Sequence, residues 1–560
     1  MTKTTTDNSA AIADIAPNTQ AMRLIVAASA AGTTFEWYDF FVFASLSAVI
    51  AKVFFVGVSD AAAFIFALAA FGAGFAVRPI GAIVFGVVGD RIGRKAAFVI
   101  TVTIMGVATV GLGLLPTYKQ AGIVAPILLI ALRMIQGFAV GGEYGGAVIY
   151  VAEHAPADKR GRYTGWIQIS ATLGVLAALS VVLITRKIVG EADFGVWGWR
   201  IPFLISAALL AISLFMRARL AESPTFRRMQ AEGGGSKAPL SEAFLKWRHL
   251  KVSLVALFSM LIAQGAVWYL AFFYAQFFLE KVLKIESASC NLVMMAVTLV
   301  TAPLYIFFGA LSDKVGRKPV MLFGMILGLV AIFPCFQLAT LAGNPALAHA
   351  THDTPVTVIA DPADCAVQFD PIGKAAFLSS CDIAKSLLTS AGISYRNQAA
   401  PSGSAAVVQV GPVMVASASA KGLPPAAAKA VKADVEKRVM GAVKAAGYPA
   451  SADPKAINWP LLFLALVIVA VGAVAIYGPL GACMVELYPT RIRYTAISLP
   501  YNIGIGWVGG FLSAISFAMV AVQGNMFFGL WYSVGITALA IVVTVLFLPE
   551  TRGRDLGGEH

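Results

Sequence analysis

Five ionisable residues of this chain have no place outside its apolar segments: Glu36, Asp39, Arg78, Arg133 and Glu143. An ionisable group in hydrocarbon is costly unless it is paired or lines a wet cavity, so such residues mark places where charge is used. Glu36 sits one helical turn before Asp39 on the same face. Arg78 lies twelve residues before Asp90, roughly 18 Å at ~1.5 Å per residue, near the middle of its segment. Arg133 and Glu143 fall in the outer and inner halves of a third segment. A carboxylate that can trade between a proton and a guanidinium changes its proton affinity as the cation approaches or leaves. The competing use of the same residues is a set of static ion pairs that hold helices together.

The segment with Arg133 continues Gln136-Gly137-Phe-Ala-Val-Gly141-Gly142-Glu143-Tyr-Gly145. Its glycines recur every four residues and form a smooth stripe on which another backbone can pack. Tyr38, Gln168, Gln264, Trp268, Tyr269 and Asn502 are polar or amphipathic groups inside other apolar segments. They are candidate liners of a central cavity, although a lone Gln or Tyr serves equally as an interhelical hydrogen bond.

The elements that must position these groups follow from composition. Of 560 residues, 59% are hydrophobic and 13% charged, and the mean hydropathy is +0.80. A soluble protein of this size needs far more charge to cover its surface. Apolar runs begin near Leu24, Ala62, Ala96, Ile123, Tyr163, Ile201, Val252, Leu292, Val320, Trp459, Thr495 and Met526. Each is long enough for the ~20 residues that cross ~30 Å of hydrocarbon. The first 22 residues are polar and the first run carries acids, so no cleavable signal peptide is expected.

The runs form two related halves. Gly86-Val-Val-Gly-Asp90-Arg91-Ile-Gly93-Arg94-Lys95 recurs 223 residues later as Gly309-Ala-Leu-Ser-Asp313-Lys314-Val-Gly316-Arg317-Lys318. Both are short basic turns between apolar runs, as an internal repeat requires. Glu153-His-Ala-Pro156 ending at Arg160 is echoed by Glu486-Leu-Tyr-Pro489 ending at Arg493, now 333 residues apart. The larger offset measures an insertion in the second half.

Lysines and arginines collect on the side of the Asp90 loop: Arg91, Arg94, Lys95, Lys159, Arg160, Arg162, Lys314, Arg317, Lys318, Arg491, Arg493, eight between Arg217 and Lys251, then Arg552 and Arg554. The short loops opposite hold Lys52, Lys119, Arg186, Lys187, Arg200, Lys281 and Lys284. The positive-inside rule then places both termini and the central loop in the cytoplasm. This asymmetry explains most of the net charge of +13 without a nucleic-acid partner.

The expected organisation is a cytoplasmic tail (1–22), a six-helix half (23–217), a cytoplasmic central loop (218–251), helices seven to nine (252–341), an insertion (342–457), helices ten to twelve (458–549) and a cytoplasmic tail (550–560). The insertion lies outside the cytoplasm and is too long for a plain loop. Cys381–Ile393 and Pro424–Ala446 have helical composition and Ala405–Val410 suits a strand, so a small α/β subdomain is expected. Cys365 and Cys381 lie on the oxidising side and are candidates for a disulfide.

The repeated loop resembles the signature of the major facilitator superfamily, which carries it between the second and third helices and again between the eighth and ninth. Phe35-Glu36-Trp37-Tyr38-Asp39-Phe40-Phe41, Arg78-Pro79-Ile-Gly81, the Arg133–Glu143 motif and the closing Pro549-Glu550-Thr551-Arg552-Gly553 resemble its metabolite:proton symporter branch. The likeness covers residues 20–340 and 457–556. It implies an all-α polytopic membrane protein with twelve transmembrane helices in two six-helix halves, with an extracytoplasmic insertion between the ninth and tenth. It also implies that Asp39 and Arg133, with Glu36, form the proton-coupling group, since related proton-linked sugar porters pair an Asp and an Arg at similar positions.

The implied activity is proton-coupled import of a small metabolite across the inner membrane by alternating access. Two intramembrane arginines suit a carboxylate, with Arg78 and the cavity liners as its site. The zwitterionic solutes proline and betaine are the alternative; the osmosensing members that carry them end in a long coiled coil, and this chain stops at His560 without heptads. A transporter-like sensor reading its ligand with the insertion is a second alternative. No cofactor is expected, and no G-x-x-x-x-G-K-[ST] loop calls for a nucleotide. The five histidines are scattered and no nucleophile–base spacing supports an enzyme. The partners are therefore substrate, proton and bilayer.

Overall fold

In a computed structural model, residues 19–56, 60–218, 221–366 and 377–556 are described. The first eighteen residues, Arg219 of the central loop, part of the insertion and the last four residues of the tail lie outside them. Eleven of the described helices are long and apolar enough to cross a membrane. In chain order the twelve are helix 1 (Thr19–Ser45), helix 2 (Asp60–Arg91), helix 3 (Arg94–Leu114), helix 4 (Val124–His154), helix 5 (Arg160–Val189), helix 6 (Arg200–Ala218), helix 7 (Trp247–Val282), helix 8 (Ser287–Val315), helix 9 (Arg317–Gly343), helix 10 (Trp459–Leu487), helix 11 (Thr490–Val520) and helix 12 (Leu530–Phe547). Helix 1 is the one outside the eleven; it carries Arg23, Glu36 and Asp39. The fold is that of two six-helix halves.

The halves meet along helix 2 against helix 11 and helix 5 against helix 8, two contacts related by the repeat. Helices 7 and 11 are not regular throughout. Helix 7 widens into π-turns at Leu257–Leu261, Leu270–Tyr274 and Phe278–Val282, and helix 11 does so over Asn502–Gly509. Such bulges turn side chains out of the regular register and recur at functional sites.

The sequence between helices 9 and 10 builds a four-stranded sheet: β1 (Val356–Ala360), β2 (Tyr395–Ala399), β3 (Val407–Val410) and β4 (Val413–Ala416), in the order β2-β1-β3-β4. β1 runs parallel to β2, with Val356 opposite Tyr395, and antiparallel to β3, which turns into β4. The parallel crossover is made by a helix at Ser380–Ser390, and a second helix spans Pro425–Ala445. β1 alternates buried and half-buried residues because only one sheet face is covered. Cys365 and Cys381 are bonded, with Cα atoms 5.2 Å apart. The sequence suggests only the third of these strands: β1 is a five-residue run in an Ala- and Pro-rich background, β2 reads Tyr-Arg-Asn-Gln-Ala without a β-branched residue, and β4 is four residues long.

This subdomain is tied to the end of the second half opposite the basic loops. Tyr395 N donates to Gly524 O (2.6 Å) and Met526 N to Ser394 Oγ (3.0 Å) between helices 11 and 12. Lys284 Nζ donates to Pro449 O (3.1 Å), and Ala452 N returns to Lys284 O (3.0 Å), between helices 7 and 8.

Candidate functional site

Small residues set the spacing of helices 2 and 4. Gly137 lies on Gly74, and a Cβ there would overlap the Gly74 carbonyl; Gly141 meets the backbone of Arg78 in the same way. This contact carries Arg78 to the inner wall of the first half. Its guanidinium lies over the rings of Phe75 (4.2 Å) and Phe40 (5.3 Å).

A small cavity lies between the halves. Helices 1, 2 and 4 contribute Glu36, Trp37, Phe40, Arg78, Val140 and Tyr144; helices 7, 10 and 11 contribute Gln264, Trp268, Tyr269, Tyr477, Tyr501, Asn502, Ile505 and Gly506. Glu36 Oε2, Arg78 Nε and Gln264 Oε1 are buried there without a hydrogen-bond partner. All three atoms are open to a polar group that enters the cavity.

Aromatic rings form much of the remaining wall. Tyr144 stacks on Tyr501 across the halves, centroids 3.9 Å apart and planes at 11°. Tyr477 and Tyr501 share a hydrogen bond of 2.9 Å, and Trp268 donates Nε1–H to Tyr305 (3.0 Å). On the insertion side of the cavity Trp37 meets Trp268 (6.0 Å), Phe41 stacks on Phe273 (5.7 Å), and Trp507 Nε1 donates to Phe75 O (3.3 Å).

Asp39 and Arg133 sit beside this space in a second pocket that shares Glu36, Phe40, Arg78 and Val140 with it. A directed chain of donors joins them. Arg133 Nη1 donates to Gln136 Oε1 (2.7 Å), Gln136 Nε2 to Thr109 Oγ1 (2.6 Å), and Thr109 Oγ1 to Asp39 Oδ2 (2.8 Å). Ser206 Oγ donates to the other Asp39 oxygen (2.5 Å). Both Asp39 oxygens are thus held by donors, and Arg133 reaches one of them through two intervening side chains.

Two of the expected liners lie elsewhere. Tyr38 is buried among apolar side chains of the first half and donates its OH to Pro202 O of helix 6 (2.7 Å). One residue from Asp39 means about 100° of helix rotation, which turns it away from the cavity. Gln168 donates to Tyr144 OH (2.8 Å) and stands behind the wall rather than in it. Arg78, Gln264, Trp268, Tyr269 and Asn502 do line the cavity. Arg217, counted with the basic loop, is instead inside helix 6, 1% exposed, and paired with Glu143 at 3.1 Å.

The repeated loops make a symmetric set of contacts between the halves on the basic side. Asp90 pairs with Arg94 (3.0 Å) and accepts from the backbone N–H of Tyr494 (3.1 Å) and Thr495 (2.8 Å) of the opposite half. Asp313 pairs with Arg317 and accepts from Gly161 N and Arg162 N (both 2.8 Å). A carboxylate at a helix N-terminus is stabilised by the unpaired N–H groups there. Gly86 packs on Thr495 and Gly309 on Gly161. Gly93 and Gly316 take φ of +136° and +110°, a region that disfavours side chains.

The half-end motifs add ion pairs to these contacts. Arg493 reaches Glu153 (2.6 Å), and Arg317 and Arg160 reach Glu486 (3.0 and 3.6 Å). Arg91 donates to Lys237 O of the central loop, and Lys314 is exposed. Two glutamates cap the loops, Glu550 of the closing motif and Glu222, which carries no signal in the sequence. Glu222 accepts from Arg94 N (3.2 Å) and Lys95 N (3.1 Å); Glu550 accepts from Arg317 N (2.9 Å) and Lys318 N (3.1 Å). Burial pushes the Glu550 carboxyl up, but the N–H donors of Arg552, Arg317, Lys318 and Thr551 outweigh it and hold it below the usual range.

The profile described as "Sugar (and other) transporter" matches residues 24–243 and 438–558, more than half of the chain. The proline/betaine transporter of Escherichia coli (strain K12) is 36% identical over 327 residues, 57% of this chain and 65% of that protein. The shikimate transporter of the same organism is 36% identical over 321 residues, 55% of this chain and 70% of that protein. The chain therefore matches just under two thirds of the length of the proline/betaine relatives. The major facilitator superfamily proton:xylose symporter XylE bound to 6-bromo-6-deoxy-D-glucose shares the fold, with a TM-score of 0.64 at 18% identity over 97% of this chain and 98% of that one. This is a family of transporters rather than enzymes, and the chain belongs to it: the sugar (and other) transporter family, with the fold of the major facilitator superfamily.

Proposed function

We propose that the protein is a proton-coupled symporter that imports a small carboxylate-bearing solute across the inner membrane by alternating access. The carrying observation is the cavity between the halves, where Arg78, Glu36 and Gln264 each present an unsatisfied polar atom. Arg78 offers a guanidinium to a carboxylate. Asp39 exchanges the coupled proton under control of Arg133 through Gln136 and Thr109. The basic loops face the cytoplasm, and both termini lie there. The insertion then lies on the outer side.

Two features favour a zwitterion over a bare organic acid. Glu36 shares the cavity with Arg78, so the site holds an anion next to a cation. Trp268, Tyr269, Tyr144 and Tyr501 offer ring faces of the kind that surround quaternary ammonium groups. The relatives' names, proline/betaine and shikimate transporters, cover both classes. The test is uptake of radiolabelled betaine, proline and shikimate into proteoliposomes, with and without an imposed pH gradient. Accumulation against a concentration gradient only when the outside is acidic supports symport. Binding without accumulation supports a sensor, and accumulation indifferent to pH removes the proton.

A further inference from the structure

The coupling group described above leaves one buried ion pair unused. Arg217 of helix 6 sends Nη2 to Glu143 Oε1 of helix 4 (3.1 Å) and Nη1 to Phe98 O of helix 3 (3.1 Å). Its guanidinium lies 3.4 Å from the centre of the Phe98 ring. On its other side it presses on helix 1 at Gly32, where an added Cβ would overlap Nη2. Gly32 is one turn from Glu36 on the same helical face, so the guanidinium lies one turn below the cavity. Glu143 is fully buried, and its second oxygen has no hydrogen-bond partner.

Glu143 also borders the seam that must open on the basic side. Tyr494 of helix 11 donates its OH to Gly142 O (2.7 Å), and its ring fills the space left by Gly89 and Gly146. The backbone N–H of the same Tyr494 is held by Asp90. Were the halves to part there, both contacts of Tyr494 would break and the way from Glu143 to water would open. The charged and titratable groups around this position are Arg217 from helix 6, Glu36 and Asp39 from helix 1, and Tyr494 from helix 11 with Asp90 and Arg94 behind it, while Arg78 from helix 2 acts on Glu36.

We propose that Glu143 is the residue from which the coupled proton leaves, and that Arg217 is the cation that expels it. This rests on the proton-symport reading. Protonated Asp39 passes its proton to the Glu36 carboxylate, protonated Glu36 passes it to the Glu143 carboxylate, and Glu143 releases it to water. At each hop one acid becomes a carboxylate as the next carboxylate becomes an acid, so the string keeps its charge until release. Arg217 then pairs with the restored anion. Gly32 is the residue that lets Arg217 stand between the coupling group and the seam.

The test uses full-length protein in proteoliposomes with radiolabelled betaine and shikimate. It compares accumulation driven by a pH gradient with exchange at equal pH. Glu143→Gln keeps shape, so exchange should stay within about threefold while accumulation falls on the order of tenfold or more. The double variant Glu143→Gln/Arg217→Gln removes both charges without leaving one buried alone, and should behave like Glu143→Gln. Wild-type accumulation by Glu143→Gln overturns the proposal. So does an equal loss of exchange and accumulation in both variants, the signature of a structural pair. If the wild-type protein accumulates neither probe in response to pH, symport itself fails and this inference with it; a responsive wild type with an unaffected Glu143→Gln overturns this inference alone.

Discussion

Arg493 Nη1 lies 2.6 Å from Glu153 Oε1, and the two residues belong to opposite halves of the chain. The repeat-related pair, Arg160 and Glu486, stands at 3.6 Å. Each half thus ends its fourth membrane helix on a glutamate that the other half's arginine closes upon. Ser223 donates to Glu153 and Thr551 to Glu486, so the symmetry extends to the hydroxyls. Buried pairs of this kind add little net stability, because desolvation offsets the attraction, yet breaking one is costly. That combination suits a latch: two well-defined states with little bias between them.

Asp90→Asn tests the latch. The variant keeps a side-chain acceptor for Tyr494 N but loses the charge that pairs with Arg94. Charged hydrogen bonds are worth ~1.5–3 kcal/mol, so the balance of closed and open forms should move by roughly 10- to 100-fold. Transport should slow while substrate affinity stays within a few-fold, measured by uptake rate against equilibrium binding. Collapse of affinity with an unchanged rate contradicts a gating role.

Glu550 gives a pH dependence outside the membrane. Its folded carboxyl sits below the usual range, so its contribution to stability is complete above the unfolded value of about 4.3 and is lost as pH falls through the lower folded value. The difference in thermal stability between wild type and Glu550→Gln should be constant from pH 7 down to that point and shrink below it. A difference that shrinks already at neutral pH contradicts the assignment.

Much of this was legible in the sequence, and the rest was hidden for identifiable reasons. Charges stranded in apolar runs announced Asp39 and Arg133, whereas Thr109 and Ser206, the groups that touch Asp39, are hydroxyls of a kind common in membrane helices. Tyr38 and Tyr144 look equivalent as letters; the helix faces they occupy decide that only Tyr144 reaches the cavity. Arg217 stands two residues from Arg219 at the end of an apolar run, so it was grouped with the loop although one more turn of helix buries it. Glu222-Ser223 echoes Glu550-Thr551, but a two-residue repeat carries too little information to stand out before the two caps are seen in place.

The insertion should depend on its disulfide. Cys365→Ser/Cys381→Ser removes a cross-link closing a short loop, worth about 3 kcal/mol to the subdomain. Limited proteolysis should then cut within the insertion while the helical bundle melts as before. Maleimide labelling of intact cells should reach neither cysteine until a reductant is added; labelling of both without reductant rules the bond out.

Substrate selectivity follows from the mixed charge of the cavity. Arg78→Ala should weaken betaine and shikimate alike, by roughly tenfold or more for the lost charged hydrogen bonds. Glu36→Gln should weaken betaine more than shikimate, because only the zwitterion presents a cation. Competition binding with both ligands decides it, and an equal loss for the two speaks against a zwitterion site.

The central claim is that Asp39 carries the proton and Arg133 controls it through Gln136 and Thr109. Asp39→Asn imitates the protonated state permanently while keeping the hydrogen bonds from Thr109 and Ser206 possible. The decisive measurement is accumulation of radiolabelled solute by Asp39→Asn proteoliposomes under an imposed pH gradient, set against exchange at equal pH. The account predicts that accumulation is abolished while binding and slow exchange persist. Wild-type accumulation by this variant contradicts it.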